Sequence, residues 1–587
     1  MGALRAFPAS LLKDEAYYDA LHEDEYVTQK EMNDPIAFLA STQSKSKGDP
    51  DTMYYHQAMA APDREQFKTA MRKEFADHCT RDHWEIVTTK KVPKGVRILD
   101  AVWAMRRKRN IKTREIYKWK ARLNVHGGQQ EKGVNFWETY SPVVNWFSIR
   151  LLLAKALLHN WHTRQIDFVM AYPQADIETE LFMKLPAGIE LPGLSNDTHC
   201  LRLKKNLYGQ KQAGRVWVKH LQQGLRNLGF TPSAIDECVW YRDDVIFTFY
   251  VDDGIAWSPN KASVDKFIDE FRNVKMAGAK YDIEDMGDVT DYLGINFSKL
   301  PGDRIHLSQP HLIDDIIKEV GVLPYKPRTT PALSSSILHR DLDGEEFTYQ
   351  FDYRSIIGKL NFLEKGTRPD IAYAVHQLAR FSSCPKKCHG DAVIHLAKYL
   401  KGTRSRGIII KPDFSKSFEV YADADFAGNW HAETAALDAS TAKSRAGYVV
   451  TLHGCPIIWH SKLINQICLS TTEAEYCCLS QALRDTIPIM NLLKELNEHS
   501  FKSEGSTPKI HCQLFEDNMG ALEIARTPKM RPRTKHINNV YHHFREHVRM
   551  KLVTITYVPT TEQTADMLTK PLGQNLFQKF RKRLMGW

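Results

Sequence analysis

Two adjacent acids sit where an apolar strand tolerates none. In Ile246-Phe247-Thr248-Phe249-Tyr250-Val251-Asp252-Asp253-Gly254-Ile255-Ala256-Trp257 a β-rich run is broken by Asp252 and Asp253. Burying a carboxylate is costly unless something neutralises it, and a divalent cation would do so. A hairpin with Asp252-Asp253 at its turn would present carboxylates to Mg²⁺, and Asp167, on a strand read over Thr163–Tyr172, could supply a further arm. Asp-Asp also stands at Asp243-Asp244 and Asp314-Asp315, where a surface turn or helix start suffices. Spacing and burial alone therefore leave a solvated turn open beside a metal site.

A chain of 587 residues exceeds a single core and implies roughly three to five domains, which suits a multi-part enzyme better than a small binding module. A hydrophobic content of 43% with 26% charged residues is ordinary for globular chains, so disorder belongs only to particular stretches. The net charge of +10 favours a polyanionic partner. Ten cysteines without a regular framework, and no signal peptide, fit a reducing intracellular setting. The most apolar run, Ile149–Leu158, is broken by Arg150 and Lys155, and membrane insertion is not expected.

Along the chain, the polar stretch to about residue 50 reads as a linker, and Phe67, Met71 and Phe75 mark a helix. The basic run Arg106-Arg107-Lys108-Arg109 marks a hairpin, and Ser148–Leu158 reads as a buried helix capped by its serine. A helical region is expected over about 300–335, and further helices to Gly402. A boundary near 411–417 opens a second α/β unit that ends in the basic tail Lys579-Phe580-Arg581-Lys582-Arg583.

That unit carries more acids: Asp423 and Asp425 in Val420-Tyr421-Ala422-Asp423-Ala424-Asp425, Glu473 and Glu475 after Ser470, Asp517 after Glu516, and Asp566 after Ala565. Singly, Glu473 reads as a capping-box acid, Asp517 as a turn residue and Asp566 as a helix cap. Converging on one pole, four such acids could hold two Mg²⁺ ions for water attack on a phosphodiester. His543 and His547 lie one helical turn apart near His542, but without a His-Glu-x-x-His order or paired cysteines they make a poor zinc site.

Tyr250-Val251-Asp252-Asp253 resembles the reverse-transcriptase catalytic box. Lys120-Ala121-Arg122-Leu123, Tyr140-Ser141-Pro142-Val143-Val144, Leu207-Tyr208-Gly209-Gln210-Lys211-Gln212-Ala213, Tyr292-Leu293-Gly294-Ile295, Thr367-Arg368-Pro369-Asp370 and Tyr399-Leu400-Lys401-Gly402-Thr403 resemble, in order, segments of the copia-type LTR-retrotransposon Pol polyprotein. The resemblance covers about nine-tenths of the chain. It implies an α/β (α+β) right-hand polymerase fold of fingers, palm and thumb, a connecting region and an RNase H-like domain. The expected divisions are 1–54 linker or disordered tail, 55–300 fingers and palm, 301–414 thumb and connection, 415–572 RNase H-like domain and 573–587 basic tail.

By the same resemblance Asp167, Asp252 and Asp253 are polymerase metal ligands, and Tyr172 screens the incoming sugar. Gln212 falls in the nucleotide-binding box, and Tyr292, Leu293 and Gly294 form the primer grip. Arg107 and Arg122, in a basic fingers-like hairpin, are expected on the triphosphate because guanidinium pairs with phosphate in bidentate fashion. For the nuclease, Asp423, Glu473, Asp517 and Asp566 are the implied catalytic and metal-binding acids, the match favouring Asp423 over Asp425 and Glu473 over Glu475. His536 is implied in product release or proton transfer.

The implied activity is RNA-directed DNA polymerase with RNase H, using two Mg²⁺ ions per site, or Mn²⁺. The implied partners are an RNA template, a DNA primer, the RNA–DNA hybrid, dNTPs and the integrase or capsid parts of the same polyprotein. The implied setting is a cytoplasmic virus-like particle with nuclear access. Val125-His126-Gly127-Gly128 and Ala171-Tyr172-Pro173 depart from the family pattern, and Pro173 could end the first catalytic strand early. A decayed or co-opted nucleic-acid-binding protein, or a ribonuclease with a dead polymerase half, stays open as an alternative.

Overall fold

The computed structural model describes residues 51–109, 115–273, 281–333, 338–341, 343–432, 438–499, 501, 510–527 and 542–587. The basic run forms a hairpin, with strand Ala101–Arg109 against Ile116–Val125 and Thr52–Tyr54 added at the edge. Thr52–Tyr54 thus pairs with Ala101–Arg109 although it falls inside the expected 1–54 tail. Helix Arg64–Thr80 buries Phe67, Met71 and Phe75 among Trp84, Trp103 and Leu123, a core separate from the rest.

Next comes a six-stranded antiparallel sheet in the order Ile283–Gly287, His162–Phe168, Asp253–Ser258, Val245–Tyr250, Val239–Arg242, Thr231–Pro232. Val245–Phe249 and Gly254–Ser258 are buried along their whole length, and this explains why their sequence is continuously apolar rather than alternating. The helix expected over Ser148–Leu158 begins earlier, at Trp146 with Asn145 as N-cap. Ser148 instead donates its hydroxyl to the Asp236 carboxylate at 2.6 Å. The strand expected to reach Tyr172 ends at Phe168, and Pro173 lies in the following 3₁₀ turn, Tyr172–Gln174.

A four-stranded sheet follows in the order Asp291–Tyr292, Ile295–Leu300, Arg304–Ser308, Ile408–Ile410. The stretch expected to be helical over about 300–335 thus includes strand Arg304–Ser308 before helix Pro310–Val320. Helices Tyr353–Thr367, Ala372–Ala379 and Lys387–Gly402 complete the region.

The last sheet runs Cys455–Leu463, Arg445–Leu452, Phe418–Asp425, Cys512–Glu516, Val553–Tyr557. The first three strands are antiparallel, while Cys512–Glu516 lies parallel to both Phe418–Asp425 and Val553–Tyr557. Helix Thr471–Glu498 packs on it. The basic tail is an amphipathic helix, Gln574–Met585, burying Phe577, Phe580, Leu584 and Met585, with Lys579, Lys582 and Arg583 exposed and Arg581 turned inward to the Tyr399 hydroxyl. Helix Trp146–Leu158 packs on strand Cys455–Leu463, so one continuous core joins the six-stranded sheet to the last one.

Candidate functional site

The structure gathers two groups of acids. In the first, strands Val245–Tyr250 and Asp253–Ser258 are joined by the two-residue turn Val251-Asp252, and Val251 takes φ +55°. A β-branched residue in that region is strained. Trp217 Nε1 donates to the Val251 carbonyl at 2.5 Å, and the Phe168 amide donates to the Asp252 carbonyl at 2.8 Å, which fixes the turn. Asp253 stands directly opposite Asp167 across the antiparallel pair, and Glu284 stands opposite Asp167 on its other side. Burial, with Asp252 and Asp167 nearby, pushes Asp253 up to about 7. Burial and the Asp252 charge likewise raise Asp167.

Cations come from the hairpin. Arg106, Lys108, Lys118 and Lys120 face each other in register, and Arg122, opposite Ala104, shares their side of the ribbon. Burial, reinforced by Arg122 and Lys108, lowers Lys120 to about 8, while Asp167 pulls it upward. Lys120 therefore reaches the acid group. Arg107 does not. It lies on the opposite side, where it grips the Asp63 carboxylate at 2.6 and 2.7 Å, and Trp119 Nε1 donates to the same acid. Strand alternation thus places Arg107, expected on the triphosphate, against Asp63 on the core side of the ribbon, while Arg122 lies on the other side.

Arg122 lies over the Tyr208 ring at 3.8 Å, and Tyr208 packs on Tyr172 with ring centroids 4.7 Å apart. Burial and the Asp252 charge raise Tyr172 to about 12, so both tyrosines border the acids as neutral phenols. Gln212 is buried; its carbonyl accepts from Gln130 Nε2 at 3.0 Å, and its own amide nitrogen has no partner among the described residues. Leu293 and Gly294 form a hairpin turn with φ +51° and +78°, and the buried Tyr292 hydroxyl has no partner there. Burial and the charge of Asp253 hold Tyr292 above its ordinary value.

In the second group, carboxylate oxygens of Asp423, Glu475 and Asp517 lie within 4.8 Å of one another. Strand Phe418–Asp425 brings Asp423 in beside the parallel strand that ends at Glu516, just before Asp517, and Glu475 descends from the first turns of helix Thr471–Glu498. Glu473 is engaged elsewhere. Its amide donates to Ser470 Oγ at 3.2 Å, and its carboxylate accepts from the Leu469 amide at 2.7 Å. The resemblance favours Glu473 over Glu475, but the structure brings Glu475, about 200° further round the helix, close to Asp423 and Asp517 while Glu473 is bonded at the helix start.

Asp566, opening helix Asp566–Thr569, stands at the same pole and is pushed up to about 7 by burial and Asp423. Thr569 Oγ1 donates to Asp423, and Lys570 Nζ lies 2.9 Å from Asp566 and 3.8 Å from Asp423. Thr560 Oγ1 donates to Asp517 at 2.6 Å. Asp425 is half-buried, raised by burial, and outside the close trio. Glu516, not singled out from sequence, is fully buried beside the trio; one of its oxygens accepts from the Asn518 amide at 3.0 Å, and the other has no partner among the described residues. His536 lies outside the described residues. His542 and His543 contact Tyr476 and Ser480, and no histidine joins a cluster of metal-ligating groups among the described residues.

The family model of reverse transcriptase (RNA-dependent DNA polymerase) matches residues 81–334. The Pol polyprotein from transposon RE1 of Arabidopsis thaliana is 32% identical over 90% of this chain and 34% of its own length. That from transposon TNT 1-94 of Nicotiana tabacum is 30% identical over 90% of this chain and 38% of its own. The chain therefore spans about a third of the length of these curated relatives. A solved N-terminal RNase H domain of rv2228c from Mycobacterium tuberculosis, fused to maltose binding protein, aligns over 28% of this chain and 96% of its own at 16% identity and a TM-score of 0.18. At that score the likeness carries no weight. With the motifs in family order and the relatives matched over nine-tenths of its residues, the chain is similar along most of its length to copia-type transposon Pol polyproteins.

Proposed function

We propose that the chain is an RNA-directed DNA polymerase joined to an RNase H, each centred on one acid group. The observation that carries the reading is the registration of Asp253 opposite Asp167, with Asp252 in the adjoining turn. On this reading the basic hairpin is the fingers, the six-stranded sheet the palm, the region from 301 to 414 the thumb and connection, and the last sheet the RNase H unit, to which helix Gln574–Met585 is added.

Both groups have the donor chemistry for divalent cations. Among the described residues Glu475 Oε2 and Glu516 Oε2 are buried without partners, and acids are crowded enough to raise one another's pKa. Asp167, Asp252 and Asp253 would hold Mg²⁺ at one site, and Asp423, Glu475, Asp517 and Asp566 at the other, with Mn²⁺ as a substitute. Bound there, two ions per site supply the charge that activates a primer 3′-hydroxyl or a water and stabilises the departing oxygen.

The chain's own groups do the rest. Arg122 and Lys120 lie on the ribbon side that meets the acids and take the triphosphate, Arg122 through its planar fork. Tyr172 stands where a ribose 2′-hydroxyl would clash, Gln212 offers its free amide to the nucleotide, and the Tyr292-Leu293-Gly294 turn supports the primer end. Lys570 balances Asp423 and Asp566. Hybrid is recognised mainly through its backbone and 2′-hydroxyls, so sequence preference is weak. Template, primer, hybrid and dNTPs are the partners proposed, with the integrase and capsid parts of a longer polyprotein, in a cytoplasmic particle with nuclear access. No described helix is long and apolar enough to cross a membrane.

Primer extension on poly(rA)–oligo(dT) with dTTP and Mg²⁺, with the RNA strand labelled, tests the reading. Asp252→Asn abolishes extension and leaves RNA cleavage intact. Hybrid binding with neither reaction in the unmutated chain would instead indicate a decayed binding protein.

A further inference from the structure

Tyr208 is unassigned by any role given above, yet among the described residues it is the ring that touches both the triphosphate-side arginine and the sugar-side tyrosine. The Arg122 guanidinium lies on one part of it at 3.8 Å, and the Tyr172 ring packs against it at 4.7 Å with the planes inclined by 36°. Its backbone is anchored just as closely. The Tyr208 carbonyl accepts from the Val125 amide at 2.8 Å, three residues beyond Arg122 on the hairpin strand. The following residue, Gly209, has φ +88°, and a Cβ there would stand 2.2 Å from the Val125 carbonyl oxygen. A Cβ at Gly127 would come within 2.0 Å of the Gly209 carbonyl oxygen. Two glycines thus let the loop that carries Tyr208 press directly on the end of the hairpin strand, which fixes the ring relative to both neighbours.

Tyr172 needs such support. It lies in a 3₁₀ turn rather than in a strand, and its hydroxyl approaches the first turn of helix Ala213–Asn227, 3.5 Å from where a Cβ on Gly214 would be. That contact limits only the tip of the side chain; Tyr208 limits the face of the ring. From this geometry we infer that Tyr208 is a positioning residue for sugar discrimination: it holds the Tyr172 ring against the nucleotide site and keeps Arg122 parked beside it, so that triphosphate capture and sugar screening share one support. The inference rests on the polymerase reading above. The ring does this through its faces, by stacking and by attraction of the guanidinium to its π system, so the hydroxyl is dispensable and the aromatic ring is not.

The test measures kcat and KM for dTTP and for ribothymidine triphosphate on poly(rA)–oligo(dT), with the full chain carrying Tyr208→Phe, Tyr208→Leu or Tyr172→Val. Tyr208→Leu lowers discrimination against the ribonucleotide by about 5- to 10-fold, mostly through a lower KM for the ribonucleotide, together with a higher KM for dTTP; Tyr208→Phe restores both. Tyr172→Val loses discrimination whatever stands at 208. Cleavage of labelled hybrid RNA monitors folding in every variant, and Tyr208→Met, which keeps bulk without a ring, replaces Tyr208→Leu if that chain does not fold. Unchanged discrimination in Tyr208→Leu or Tyr208→Met beside its loss in Tyr172→Val overturns the inference and leaves the polymerase reading standing. Absence of extension by the unmutated chain overturns both.

Discussion

Arg150 should be the residue on which the union of the six-stranded sheet with the last sheet depends. It lies on helix Trp146–Leu158, behind the six-stranded sheet, and is almost fully buried. Its guanidinium donates to the Ile457 carbonyl at 3.0 Å, on the edge strand of the last sheet, and to the Gly366 carbonyl at 3.0 Å, with a further bond to Lys365. The same group stacks on Trp459 at 4.1 Å, and Trp459 Nε1 donates to the buried Glu364 at 2.9 Å. Three regions of the chain therefore meet at one cation. Arg150→Met keeps the aliphatic packing and removes the fork. Hydrogen bonds to a charged group contribute ~1.5–3 kcal/mol each, so losing those to Ile457 and Gly366 alone costs about 4 kcal/mol. Spread over a cooperative unit of about 150–250 residues, at roughly 2–4 °C per kcal/mol, this lowers the melting midpoint by about 8–16 °C. The loss is confined to the joint, so calorimetry of Arg150→Met should show the single transition splitting in two. Primer extension at 25 °C persists, and the spacing between the primer end and the RNA cuts made during synthesis broadens. Arg150→Lys, which retains charge without the planar fork, recovers less than half of the midpoint. A single transition within about 1 °C of the unmutated chain would refute the reasoning, because a buried cation with these partners cannot be removed without cost.

Three further outcomes are expected. Glu475→Gln abolishes hybrid cleavage, whereas Glu473→Gln leaves cleavage within a few-fold and lowers stability by about 1 kcal/mol, the cost of a weakened cap, as read by parallel cleavage and denaturant titrations. Arg122→Ala raises KM for dNTP with little change in stability, while Arg107→Ala strands the Asp63 carboxylate and destabilises the chain by ~3 kcal/mol, with KM for dNTP kept; equal KM effects would count against the assignment of faces. Asp253 and Asp566 titrate near 7 in the folded, metal-free chain against an ordinary 3.8, so the folded state is the better proton acceptor. Their contribution is complete below 3.8 and is lost as pH rises through about 7, so the metal-free melting midpoint falls between pH 5 and 8 while the increment gained from Mg²⁺ grows; an increment independent of pH would sink the argument.

Much of the first acid group could be read in the sequence because its signal is a contradiction. Charge inside the apolar run Ile246–Trp257 demands a turn and a counter-ion, and the hairpin supplies the turn at Val251-Asp252. The basic hairpin was equally legible as an element, but the face of each arginine was not. A run of four cations looks alike from either side, and only the pairing of Arg106 with Lys120 and of Arg107 with Trp119 decides which of them meet the acids. Glu284 had no signal, and Tyr208 stood inside a family-like segment with nothing to mark its contacts, since each acquires its place from a partner far away in sequence. The C-terminal basic stretch looked like a tail because its charges dominate its composition; the helix is revealed by Phe577, Phe580 and Leu584, which recur at helical spacing.

Glu473 and Glu475 show where sequence reasoning stops and why. Both acids follow Ser470 at the start of a helix, and both end up buried. A capping box assigns the third helical position a structural duty, because four amides at a helix start lack intrahelical partners. Here Glu473 gives its own amide to the Ser470 cap, and its carboxylate accepts from the Leu469 amide just before the helix and from Gln466, which turns it away from Asp423. Glu475 has no cap to serve, and among the described residues one of its oxygens has no partner in a buried pole crowded by Asp423, Glu516 and Asp517. An acid kept in such surroundings is held there against its own desolvation, and either a proton or a cation must relieve it. Lys570 supplies a single positive charge to Asp423 and Asp566, too little for the whole set. The remaining imbalance is what a divalent ion would answer, and it is Glu475 rather than Glu473 that helix Thr471–Glu498 brings to the close trio with Asp423 and Asp517.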